Sequence, residues 1–192
     1  MDIVKLWTEQ LLGHLAEVRA AVVVDDDDAT GNDCNAKHPS LILCDRINLS
    51  GKSYTAEGAQ VIASFISEPL FDDVPPLARG IVEADLTDMI ASRMTNEGLI
   101  VLRTFCDAFA DSSNLVDVDL SENAIGEQAI GACQTVLTKK SLERLRLNNA
   151  GLAFETMTKL ADILTKDEDG TGCVARNLTK FQISRNMSGD LG

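Results

Sequence analysis

An α/β solenoid, with parallel strands on its concave face and helices on its convex face, is the fold that the sequence predicts. Three observations predict it. First, residues 114–126 (NLVDVDLSENAIG) align with residues 141–153 (SLERLRLNNAGLA), and both read L-x-x-L-x-L-x-x-N-x-L with slight variation. Leu115, Val118, Leu120, Asn123 and Ile125 fill the slots of one copy; Leu142, Leu145, Leu147 and Leu152 fill those of the other, with Ala150 in the asparagine slot. Second, shorter copies recur on both sides: Cys44, Ile47, Leu49 and Tyr54; Ile81, Ala84 and Leu86; Leu178, Phe181, Ile183 and Asn186. Third, the stretches between copies carry apolar residues at helical spacing.

This pattern is the leucine-rich repeat, a short strand followed by a helix in each unit. Alternate strand residues point into a shared core while the residues between them face solvent. The slot asparagine satisfies backbone groups where the strand turns away.

The elements follow in order. Residues 1–24 place Val4, Trp7, Leu11, Leu15, Val18 and Val22 on one helical face, an amphipathic N-terminal helix expected to cap the solenoid. Residues 25–40 open with four aspartates and continue with Gly, Asn and Pro, a flexible acidic linker. Residues 41–192 form the repeat domain. Within it, helices are expected over 55–67, 96–110, 126–139 and 154–166, with Thr55 and Asn96 as caps of the first two. Ala129, Ile130, Cys133, Val136 and Leu137 mark the buried face of the third helix; Met157, Leu160, Ala161 and Leu164 mark that of the fourth. Residues 69–76 and 166–177 are loops between repeats. The chain stops at Gly192, just after a strand and without a capping unit, so a fragment truncated at its C-terminus is expected.

Composition narrows the function classes. Thirty acidic residues against 17 basic ones give a net charge of -13, which repels nucleic acid and anionic membrane surfaces and leaves a protein partner open. No apolar run approaches the roughly 18–20 residues of a membrane span. Aromatic residues make up only 4%, so the core must be mostly aliphatic. The five cysteines are odd in number and show no C-x-x-C spacing, which fits free thiols in a reducing compartment. The N-terminal stretch is interrupted by His14, Glu17 and Arg19, a poor signal peptide. A cytoplasmic location is expected, with the nuclear envelope as the alternative. The sequons at Asn48, Asn177 and Asn186 are then chance.

Self-contained chemistry is scarce. Gly51-Lys52-Ser53 echoes the end of a phosphate-binding loop, but Arg46 stands where that loop needs glycine. Asp167, Asp169 and Gly172 mimic the start of a calcium loop, but Leu178 stands where the bidentate glutamate belongs. His14 and His38 offer no ligand set, so no metal and no cofactor are predicted. The sheet face carries a pattern instead: Glu83, Asp85, Asp117 and Asp119 are expected outward, followed by Arg144, Arg146 and Lys180. An acidic half beside a basic half would orient a protein partner; a merely solvated face is the bland alternative.

The stretches ADLTDMIASR, LVDVDLSENAIGEQAI, LERLRLNNAGL and SRNMSGDLG resemble the leucine-rich domain of Ran GTPase-activating proteins, the plant and algal branch most of all. The resemblance implies binding of Ran in its GTP form and faster hydrolysis, without the inserted arginine finger of other GTPase systems. It implies that a loop asparagine, matching Asn149, places the GTPase's own tyrosine and glutamine. It also implies roles for Arg93 in activity and Arg185 in binding; Arg144, Arg146 and Asp119 of the sheet face join them as partner-binding candidates on the charge pattern alone. By the repeat register, Asn149, Arg93 and Arg185 all fall on strand-to-helix loops along one edge. Asn149 precedes the ladder slot and should point outward; Asn123 and Asn186 occupy slots and should be structural. The alternative function is a non-catalytic leucine-rich-repeat scaffold or sensor module; a secreted receptor comes third.

Overall fold

The computed structural model describes residues 44–69, 75–90, 95–167 and 170–187. The expected N-terminal helix, the acidic linker and Arg93 lie outside the described residues. Every described residue falls in one compact unit, residues 42–192.

Five three-residue strands, β1 (Arg46–Asn48), β2 (Glu83–Asp85), β3 (Asp117–Asp119), β4 (Arg144–Arg146) and β5 (Lys180–Gln182), form one parallel sheet in sequence order. Between them lie α1 (Ala56–Ser67), α2 (Thr95–Asp107), α3 (Glu127–Ala132), α4 (Gln134–Leu137) and α5 (Phe154–Thr165). The fold is therefore α/β, compatible with a repeat solenoid. The register aligns Ile47, Ala84, Val118, Leu145 and Phe181 across the sheet, the same residues that share a slot in the sequence alignment.

Alternation explains the strands. Ala84, Val118 and Leu145 are buried in mid-strand, flanked before by Ile81, Leu115 and Leu142 and after by Leu86, Leu120 and Leu147, all fully buried. Each buried leucine contributes about 1.5–3 kcal/mol. Burial falls away at β5, which has a neighbour on one side only: Phe181 is 44% exposed.

The helices close the core. In α1, Ala59, Ala63 and Ile66 are buried at i, i+4 and i+7 spacing, and the Thr55 hydroxyl accepts the Gly58 N–H at 3.1 Å as N-cap. Thr55→Ala is expected to cost about 1 kcal/mol, read from the urea unfolding midpoint. In α2, Val101, Leu102, Phe105 and Cys106 are fully buried, and Phe105 meets Tyr54 edge-on at 5.0 Å between ring centroids. Cys106 and Cys133 are free, buried thiols, and the neighbouring Cys133 together with burial pushes the Cys106 pKa well up.

Three expectations change. Asn96 is not a cap: α2 already begins at Thr95, so Asn96 lies inside its first turn. The single helix expected over 126–139 is two, broken at Cys133, whose backbone sits at φ -89° and ψ 0°. Gly131 within the first of them is a poor helix former, while Ala129, Ile130, Cys133, Val136 and Leu137 are all buried as expected. In α5 the buried face is rotated: Thr156 is buried and Ala161 is exposed, while Leu160 and Leu164 keep their inward places.

An asparagine ladder binds the units together. Asn123 Nδ2 donates to the carbonyls of Leu86, Leu120 and Ser121, and its Oδ1 accepts the Met89 N–H. Asn186 donates to Leu147, Ile183 and Ser184, and accepts from Ala150 and Leu152. Both are structural, and the Asn186 amide is engaged within the fold rather than offered as a sequon. Ala150 cannot bond in its slot; the Asn186 side chain and the bond from Ile125 N–H to the Ala150 carbonyl hold that corner instead.

Candidate functional site: a column of strand-to-helix corners

Parallel pairing continues past each strand into the corner that follows it. The N–H of Gly51 donates to Thr87, that of Asp88 to Ser121, that of Glu122 to Asn148, and that of Asn149 to Ser184, each reaching the carbonyl of the next repeat. Gly51 thus uses its N–H in this ladder rather than in a phosphate cradle. Short side chains brace the same turns. Asn48, Asp85 and Asp119 each accept the N–H two residues on, at Ser50, Thr87 and Ser121. Asn148 Oδ1 accepts the N–H and the hydroxyl of Ser184.

The residue at each corner has positive φ: Gly51 at 63°, Asp88 at 53°, Glu122 at 60°, Asn149 at 49° and Arg185 at 58°. Glycine fits that conformation without penalty. Asn and Asp tolerate it, but Glu and Arg do not, and such a residue costs about 1–2 kcal/mol there. Side chains kept at such positions despite strain are a mark of functional sites.

The column brings Asn149 and Arg185 together, and it does so through a residue that the sequence did not flag. Asn149 Nδ2 donates to Glu122 Oε2 at 2.5 Å, and Arg185 donates to Glu122 Oε1 at 2.9 Å. Asn149 is exposed, as its place beside the slot predicts. Glu122 could have been found in the sequence by sliding the repeat alignment one residue back from the ladder slot, where it shares a column with Asp88, Asn149 and Arg185. Arg93 lies outside the described residues.

The other three candidates sit apart on the sheet face. Arg144 Nε donates to Asp117 at 2.7 Å, and its terminal nitrogen reaches Glu83 at 3.4 Å. Arg146 Nε donates to Asp119 at 2.6 Å, and its Nη2 lies 2.9 Å from Asp117 Oδ1. Arg46 pairs with Glu83 at 2.8 Å. The acidic and basic halves are therefore joined by ion pairs across β3 and β4. Bonding to Asp117 raises the Arg144 pKa. For Arg146, partial burial works against its charge, and the bonds to Asp119 and Asp117 outweigh it and raise the pKa.

Asp119 behaves in the opposite sense. Partial burial pushes its carboxyl up, but the Ser121 bonds and Arg146 outweigh that and hold it below the ordinary 3.8. The unfolded chain then takes up its proton first as pH falls. The contact therefore stabilises fully at neutral pH, and this contribution fades once pH drops below about 4. Asp119→Asn is expected to lower stability at pH 7 and to flatten the loss of stability below about pH 4, read from urea unfolding across pH.

Among the described residues, a groove of about 470 Å³ lies between α3, α4 and α5, floored by Ile130, Ile163 and Val174. None of the column residues lines it. No described helix is long and apolar enough to cross a membrane.

The fold and the column define a class: an α/β protein with a parallel sheet, compatible with a repeat solenoid, that presents polar side chains in a row on one edge. No family model matches the chain. In part of its length the chain is similar to RAN GTPase-activating protein 1 of Arabidopsis thaliana, at 32% identity over 103 residues. The match covers 53% of this chain and 18% of that protein, so the chain spans less than a fifth of the length of the curated relative it matches. This similarity points to the Ran GTPase-activating family and reaches no further than that.

Proposed function

We propose that the chain is a leucine-rich-repeat protein that accelerates GTP hydrolysis by Ran in its GTP form, with Asn149 as the activating residue. The observation that carries this function is the placement of Asn149: an exposed carboxamide on a left-handed corner, tied to Glu122. The partial similarity to a Ran GTPase-activating protein supplies the choice of GTPase.

An asparagine brings no charge to a transition state. What it offers is a donor and an acceptor at a fixed point, which suits it to orient side chains of the GTPase that in turn orient the attacking water. Activation without an arginine finger is what the family resemblance implies. Arg185, bonded to Glu122, supports it as a binding residue on the same edge. Arg93 is proposed beside them from the family resemblance. Arg144, Arg146 and Asp119 form a paired face that would meet a partner as a preset charge pattern. We place this activity in the cytoplasm.

The test is single-turnover hydrolysis of GTP by Ran, with and without the chain. Acceleration supports the function; a rate equal to that of Ran alone overturns it.

A further inference from the structure

Three successive corners carry Glu122, Asn149 and Arg185, and the central carboxylate of this group belongs to Glu122. Its two oxygens divide the work: Oε2 accepts from Asn149 and Oε1 from Arg185. The backbone beneath is already pinned, because Glu122 N–H donates to Asn148 and Asn149 N–H donates to Ser184. What remains free at Asn149 is its side chain, and an exposed asparagine on a loop would otherwise sample several rotamers. Glu122 is the better anchored member of its ion pair, with 37% of its side chain exposed against 70% for Arg185.

Resting on the function proposed above, we infer that Glu122 is the positioning residue of this edge. An ionised carboxylate accepts hydrogen bonds and donates none. It therefore selects the NH2 end of the Asn149 amide and turns Oδ1 the other way. The carboxamide then presents its acceptor to the partner. Arg185 holds the other carboxylate oxygen, so its guanidinium has two tasks: it keeps Glu122 in place, and it faces the partner with its remaining donors. Left-handed backbone at Glu122 and Arg185 is the cost of carrying this arrangement.

The test has two arms, both on the whole chain. In the first, Ran hydrolysis is measured with the wild type, Glu122→Ala and Glu122→Gln. Gln keeps the size but carries a donor as well as an acceptor, so it no longer selects one end of the Asn149 amide. Both variants are expected to lower kcat about tenfold while KM stays within about twofold, the pattern of lost orientation rather than lost binding. Thermal unfolding checks that both remain folded. In the second arm, the side-chain amide of Asn149 is followed by ¹H–¹⁵N NMR, with Asn149→Asp identifying the signal. The two amide protons are expected to be well separated in the wild type and to collapse toward the free-amide position in Glu122→Ala.

The outcomes are distinct. Wild-type kcat in Glu122→Ala overturns the positioning role and leaves the proposed function standing. A raised KM with unchanged kcat also overturns it, because Glu122 would then be a plain contact. No acceleration by the wild type overturns the function itself, and the positioning of an activating residue with it. The amide spectrum still judges the clamp in that case: an unchanged Asn149 signal in Glu122→Ala overturns it.

Discussion

Asn123→Ala is expected to lower stability by about 4 kcal/mol, because it leaves several buried polar groups without partners and each costs about 1–3 kcal/mol. The side chain is 1% exposed, and its amide satisfies Leu86, Leu120, Ser121 and Met89 at once. For a unit of about 150 residues this is a fall of about 10 °C in the unfolding midpoint. Asn186→Ala, at the half-buried slot of the last repeat, should cost less because water reaches the freed groups. Calorimetry of the two variants beside the wild type checks both the size and the order. Equal, small shifts would mean that the ladder adds little to the packing of the leucines.

Loss of the Asn149 carboxamide is expected to slow Ran hydrolysis about 100-fold, in the range seen when a single transition-state hydrogen-bonding group is removed. The choice of substitution matters. At φ 49° alanine is strained, so Asn149→Ala should also cost about 1–2 kcal/mol of stability. Glycine accepts that conformation freely, and Asn149→Gly removes the same amide without the strain. Activity should fall equally in both variants, while stability falls only in the alanine one. Single-turnover rates together with urea midpoints separate the two effects. If activity tracked stability instead, Asn149 would be a corner residue and no more.

Much of the fold was legible because the leucine pattern repeats. The slots holding Ile47, Ala84, Val118, Leu145 and Phe181 define the strand register on their own, and the sheet pairs those same residues. Asn123 and Asn186 were legible as ladder residues for the same reason. The break at Cys133 was hidden, since its apolar spacing fits one helix as well as two short ones. The rotation of α5 was hidden as well, because Thr156 and Ala161 are both small and the pattern does not choose between them.

The site was half legible. The register placed Asn149 and Arg185 on one edge, but nothing in the letters Glu or Arg announces a left-handed backbone. Glu122 was missed because its contacts reach across to Asn149 and Arg185 on later corners, which a column of single letters does not show. The sheet-face charges were read as two halves. Their pairing depends on the guanidinium of Arg144 bending back toward Asp117 and Glu83, which is a property of side-chain geometry rather than of composition.

The most direct measurement is single-turnover GTP hydrolysis by Ran alone, with this chain, and with its Asn149→Gly variant. The predicted result is acceleration by the chain, about 100-fold weaker with the variant at equal binding. A rate with the chain no faster than that of Ran alone, or acceleration that the variant retains in full, would contradict it.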